Sequence, residues 1–153
     1  MQNIHAQSAT SLSESLEDYL EAIYHIEEEK RAARPTDIAR RLSVSPPSVT
    51  GALQNLATRG LVNYRPYDLV TLTPRGRRAA RDVIRRHEAL RRFFTDLLQL
   101  DAGEADKVAC SMEHSLPPHV VARLGAFTGP GRPGPAFSDR GLRHGLGPAA
   151  GQP

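Results

Sequence analysis

Residues 34–60 read RPTDIARRLSVSPPSVTGALQNLATRG, and this stretch decides the fold. Arg34-Pro35-Thr36 breaks the preceding chain and restarts it, because proline is favoured in a first helical turn. A short helix over about 36–42 then buries Ile38, Ala39 and Leu42. Ser43-Val44-Ser45 is a tight turn. Ser45 caps the next helix and Pro46 opens it. Val49, Leu53, Leu56 and Ala57 give that helix an apolar stripe, and Gly60 ends it. Two short helices joined by so brief a turn form a helix-turn-helix.

Downstream, 61–64 and 69–72 alternate as two short strands around Arg65-Pro66-Tyr67-Asp68, which predicts a hairpin, or wing. Thr73 caps and Pro74 opens a long helix ending near residue 100. Asp101 caps a fifth helix reaching Ser115, and Pro117-Pro118 starts a sixth that ends by Thr128. Upstream, Ser13 caps a first helix over about 13–30, with Leu16, Leu20, Ile23, Tyr24 and Ile26 at helical spacing. The expected fold is mainly α with a small β-hairpin. Its parts are a leader (1–12), a winged helix-turn-helix (13–76), a helical region (77–128) and a Gly/Pro-rich tail (129–153) read as disordered.

Composition bounds the function. At 153 residues, 39% hydrophobic and 5% aromatic with no tryptophan, the core must be aliphatic. No apolar run reaches the roughly 20 residues of a membrane span. The N-terminus lacks the apolar stretch of a signal peptide, and the single cysteine cannot form an internal disulfide. The expectation is a cytoplasmic protein with no membrane partner. The net charge of +3 hides a pattern. Residues 1–30 hold seven acids and one base, whereas 31–92 hold fourteen arginines against four acids. Charge runs of this kind are commonly a solvated surface. This one encloses a helix-turn-helix, and arginine forks suit phosphate oxygens.

The N-terminal end of the third helix carries Ser45, Pro46, Pro47, Ser48 and Thr50, with Gln54 and Asn55 one turn on. Small polar side chains there can donate to and accept from base edges in a major groove. Arg65 in the wing, with Arg40 and Arg41, would hold the backbone and set register. The expected partner is double-stranded operator DNA. A winged fold serving only protein interaction is the competing reading, and it predicts no salt-dependent DNA affinity.

A second constellation is drawn from three helices. Asp18 and Glu21 share a face of the first helix. His87 lies midway along the long helix. Cys110, Glu113 and His114 sit on the fifth. One thiolate, two imidazoles and three carboxylates would accept a first-row divalent ion. Each alone has an ordinary reading: an acidic surface, a surface histidine, a small core cysteine. Spacing leaves two rivals open. One is a metal-independent winged-helix regulator sensing an oxidant or small molecule through Cys110. The other is a metalloenzyme using Glu113 as base, against which no HExxH-type motif is present.

Residues 15–24 (SLEDYLEAIY) resemble the opening helix of the diphtheria toxin repressor and manganese transport regulator family. Residues 34–60 resemble its helix-turn-helix, and 64–76 its wing and entry to the linker helix. Arg86-His87-Glu88 and 109–114 (ACSMEH) resemble its two later metal-ligand motifs. The resemblance implies a homodimeric, metal-activated repressor with no enzymatic activity and no small-molecule substrate, controlling metal-uptake genes. It implies a helical dimerisation domain after the wing. It carries the ligand role onto Asp18, Glu21, His87, Cys110, Glu113 and His114. Asp18 matches manganese-type members and Cys110 iron-type members, so the expected cofactor is Mn²⁺ or Fe²⁺, with Co²⁺, Ni²⁺ or Zn²⁺ compatible with a thiolate. Arg91 and Asp106 stand where other members carry further ligands, and Gly51 where some carry a base-reading glutamine.

Overall fold

The computed structural model describes residues 12–66 and 68–127. The expected leader (apart from Leu12), the wing residue Tyr67 and the 129–153 tail lie outside them. Six helices and one hairpin follow in the order α1 (Glu14–Lys30), α2 (Pro35–Leu42), α3 (Pro46–Thr58), β1 (Val62–Asn63), β2 (Thr71–Leu72), α4 (Pro74–Arg92), α5 (Ala102–Met112) and α6 (Pro118–Phe127).

The caps read from sequence are in place. Ser13 Oγ accepts from Leu16 N, Ser45 Oγ from Ser48 N, and Thr73 Oγ1 from Gly76 N. Asp101 Oδ1 accepts from both Gly103 N and Glu104 N. Each satisfies an orphan donor of a first turn, worth about 1 kcal/mol. Gly60 has φ +67°, the left-handed conformation that ends α3.

Three elements differ from expectation. The strands are two residues each, paired Val62 with Leu72 and Asn63 with Thr71. Thr73 N still donates to Leu61 O across the hairpin, but other flanking groups bond elsewhere. Leu61 N donates to Leu56 O, and Val70 pairs with Ala33 through bonds of 2.8 and 2.9 Å. The long helix leaves α geometry after Arg92 and passes through a π-helical turn over Phe93–Leu97. Gln99 at φ 55° closes it, with Leu100 N donating to Phe94 O. The fifth helix stops at Met112 and tightens into a 3₁₀ turn over Glu113–Ser115. Glu113 and His114 therefore lie in that turn and not on α5.

Two cores form. The first joins α1, α2, α3 and the hairpin around Leu20, Ile23, Ile38, Leu53 and Leu56, all fully buried. Each such side chain contributes about 1.5–3 kcal/mol by leaving water. Leu12, expected in the leader, packs against this core. The second core is smaller and holds Leu90, Phe94, Ala105 and Ala109. The helix α4 enters both, with Ala80 in the first and Leu90 in the second. Gly76 makes the entry possible, because a Cβ there would lie 1.8 Å from Leu61 O. Among the described residues no helix is long and apolar enough to cross a membrane.

Candidate metal centre and DNA-facing surface

Where α1, α4 and the end of α5 meet, acidic and imidazole side chains converge on Glu113. Its side chain is 0% exposed. One oxygen, Oε2, lies 2.6 Å from His87 Nδ1. The other, Oε1, is buried without a hydrogen bond; His114 Nε2 approaches to 3.4 Å outside hydrogen-bond geometry. A buried carboxylate oxygen left so is costly unless something else meets it. His87 Nε2 turns to Asp106 Oδ1 at 2.9 Å. His114 is nearly buried, with Nδ1 2.7 Å from Glu17 Oε2 and Nε2 3.0 Å from Asp18 Oδ1.

Two groups of ligand atoms result, His87–Cys110–Glu113 and Asp18–Glu113–His114, each with atoms within 4.8 Å of one another. Two ligand bonds of about 2.0–2.3 Å reach across at most about 4.6 Å, so these groups lie at or near the separations that one ion bridges. Glu113 belongs to both groups. Glu21 stands outside them and lines the same open cleft as Asp18, His87 and Cys110; its nearest ion partner is His25 at 3.6 Å. Five of the six expected residues are thus brought together, and the sixth sits at the rim.

The electrostatics are those of a cage short of positive charge. Burial raises the Asp18 carboxyl above its ordinary value, against His114. Burial and then Glu113 raise Glu21, and burial followed by the same carboxylate raises the Cys110 thiol. The imidazoles move the other way in charge. The Glu113 hydrogen bond pushes His87 up to about 9, assisted by Asp106 and opposed by burial. Burial disfavours the His114 imidazolium, but Glu17, Asp18 and Glu113 outweigh it and raise that group too. Protons on these rings supply the positive charge that the carboxylates call for. A divalent cation would supply it better, and the hard–soft mix of oxygen, nitrogen and sulfur fits a first-row ion.

Three supporting residues were not among the expected ligands. Glu17 bridges His114 and Arg86, the latter at 2.8 Å. Its spacing of four from Glu21 was a usable signal. Asp106, four before Cys110 on α5, carried the same signal and holds His87. Arg86 had none beyond adjacency to His87.

The opposite feature of the chain is its exposed polar surface. Ser45 at the cap of α3, Pro46, Pro47, Ser48, Thr50 and Gln54 on α3, Arg40 on α2 and Arg65 in the wing are all exposed. Some are engaged locally. Ser45 and Ser48 hydroxyls lie 2.8 Å apart, and Thr50 Oγ1 donates to Pro46 O. Asn55 Oδ1 accepts from Arg59 Nε at 2.7 Å, and Arg41 pairs with Glu29 on α1. Those two are committed within the protein, while Gln54 and Arg65 stand out from it.

A winged helix-turn-helix joined through one helix to a second core, with a ligand cluster at the junction, defines a metal-responsive DNA-binding class. Residues 11–70 match the iron dependent repressor N-terminal DNA binding domain, and 73–134 match the iron dependent repressor metal binding and dimerisation domain. An uncharacterized HTH-type transcriptional regulator of Methanocaldococcus jannaschii is 38% identical over 117 residues, 76% of this chain and 94% of that one. The HTH-type transcriptional regulator MntR of Geobacillus kaustophilus is 38% identical over 111 residues, 72% of this chain and 78% of its own. A solved manganese-dependent transcriptional repressor in complex with manganese superposes with a TM-score of 0.68 at 32% identity. That match covers 74% of this chain and 52% of the solved one, so the chain spans about half its length. The chain belongs to the iron-dependent repressor family, whose members are transcriptional repressors.

Proposed function

We propose that this chain is a homodimeric repressor that binds operator DNA when Mn²⁺ or Fe²⁺ occupies the cluster around Glu113, and that it controls metal-uptake genes in the cytoplasm. The observation that carries this reading is the burial of Glu113 between α1 and α4 with one oxygen lacking a hydrogen bond. Asp18, Glu21, His87, Cys110, Glu113 and His114 would hold the ion. A bound divalent ion supplies charge neutralisation and directional bonds that link α1 to the second core. Without it, Asp18, Glu21 and Glu113 repel one another across the junction, and the imidazolium rings only partly offset this. The residues of α1 then hold the DNA-reading half less firmly against α4.

Dimerisation would fix the spacing of two recognition helices near one DNA turn, about 34 Å. Leu124 of α6 packs against the second core, but no residue of that helix is fully buried, and Met112 and Phe127 are exposed. This face suits a second copy of the chain. Gln54, Ser48 and Thr50 would meet base edges, and Arg40 and Arg65 the backbone. The absence of an HExxH-type motif and the family's transcriptional repressors favour a regulator over an enzyme. The surroundings of Cys110 also disfavour oxidant sensing, since they raise its thiol and reduce the reactive thiolate.

The test is fluorescence anisotropy on the promoter DNA beside its own gene, at fixed salt, with chelator and then with Mn²⁺, Fe²⁺, Co²⁺ or Zn²⁺. Tight binding only with metal is the expected result. Equal binding in chelator would remove the metal mechanism.

A further inference from the structure

Two charged side chains are buried among the described residues, Glu113 and Glu27. The metal centre explains the first and leaves the second unexplained. Glu27 lies on α1 nine residues beyond Asp18, about 13 Å along the helix. Its Oε1 accepts a 2.6 Å hydrogen bond from the backbone of Leu72 in β2. Its Oε2 pairs with the Arg77 guanidinium on α4. Arg77 in turn reaches Glu28 Oε1 at 3.1 Å and lies 5.5 Å from the centre of the Tyr24 ring, both on α1. One carboxylate thus joins three elements at the point where the wing's returning strand becomes the linker helix.

A buried ion pair is a poor way to gain stability, because desolvation offsets most of the attraction. An apolar side chain would fill the position more simply. What the pair adds is direction: two oxygens with fixed partners set the angle between α1, β2 and α4.

We propose that Glu27 is a positioning residue that ties the wing to α1. Through it, the helix bearing Asp18 and Glu21 and the wing bearing Arg65 move as one body. This rests on the metal-activated reading above. An ion that draws the first half of α1 to Glu113 then also orients the wing through the second half.

The test uses the full chain with Glu27→Gln, Arg77→Ala and Arg77→Lys. Three quantities are measured: exchange of the Leu72 amide by NMR, Mn²⁺ affinity by calorimetry, and the metal-induced gain in affinity for the promoter DNA. In Glu27→Gln and Arg77→Ala, Leu72 exchange should quicken at least about tenfold. Mn²⁺ affinity should stay within about twofold, and the metal-induced gain should fall at least about tenfold. Arg77→Lys keeps the charge and should recover most of the gain. An unchanged gain in both Glu27→Gln and Arg77→Ala would make Glu27 merely structural and overturn the proposal. So would a loss of Mn²⁺ affinity as large as the loss of gain, because the effect would then arise at the metal centre. Should Glu27→Gln fail to fold, the two substitutions at the more exposed Arg77 decide alone. If the wild type shows no gain with any metal, the functional reading fails. The tie itself is then judged by Leu72 exchange, and unchanged exchange overturns it.

Discussion

His87 Nδ1 lies 2.6 Å from Glu113 Oε2, joining the linker helix to the 3₁₀ turn through a wholly buried carboxylate. This contact holds the second half of the molecule against α4 in the absence of metal. An ion held as proposed would share or replace this contact, because a histidine cannot ligate through a nitrogen that bears a proton.

Removing Glu113 or His114 takes away the centre of the cluster. Glu113→Gln and His114→Ala should each lower Mn²⁺ affinity by at least about 100-fold, beyond the 10–100-fold typical of residues that only support ligands. Calorimetry measures the affinity, and anisotropy should show no metal-dependent DNA binding. Retained metal dependence would place the centre elsewhere.

The raised His87 predicts opposite pH responses of the free and metal-bound protein. Its folded value of about 9 exceeds the ordinary value of 6.5. The stabilisation is therefore full below pH 6.5 and is lost as pH rises through about 9. Screening by solvent in the open cleft limits it to below about 1 kcal/mol. Metal affinity should rise over the same interval as the proton leaves. Urea unfolding in chelator from pH 6 to about 9, compared with His87→Gln, checks the first response. A flat difference between the two proteins would refute it.

Gly76 is required by a close approach. A Cβ would meet Leu61 O at 1.8 Å, and that oxygen is already held by Thr73 N at 3.0 Å. Backbone must shift, so Gly76→Ala should destabilise by about 3 kcal/mol. Thermal unfolding measures it, and an unchanged melting temperature would contradict the packing described.

The two DNA-facing roles separate by their salt and sequence dependence. Arg65→Ala should weaken binding to all sequences alike and lower the log–log salt slope by about 1. Gln54→Ala should relax preference at one base position, by about 1–3 kcal/mol. Anisotropy on point-substituted duplexes at several salt concentrations distinguishes them.

Cys110 should set metal preference. Replacing it by a hard ligand, Cys110→Glu, should move the ratio of Mn²⁺ to Co²⁺ affinity toward Mn²⁺ by about tenfold or more. Competition binding reads the ratio, and no change would mean that the thiol is not a ligand.

The helices and their caps were legible because local chemistry fixes them: Ser13, Ser45, Thr73 and Asp101 each bond to the first turn of their own helix. What was not legible depends on partners distant in sequence. The short strands follow from Val70 pairing with Ala33, and the π-helical turn from Phe93 and Phe94 packing into the second core. In the candidate site, spacing grouped the candidate ligands by helix but could not rank them. Glu21 faces His25 at the rim, whereas Glu17, one residue before Asp18, reaches His114 across 97 positions of chain. The wing tie through Glu27 gave no signal, since Glu27-Glu28-Glu29 reads as a solvated acidic run.

The helix α4 closes the first core with Ala80 and carries His87 two turns later. During synthesis the core of the DNA-reading half gains Ala80 only once this helix has emerged. A nascent chain that stops short of it leaves that core open on one side, and the cluster around Glu113 is complete only when His114 follows. The order of synthesis thus completes the DNA-reading core before the cluster that would control it.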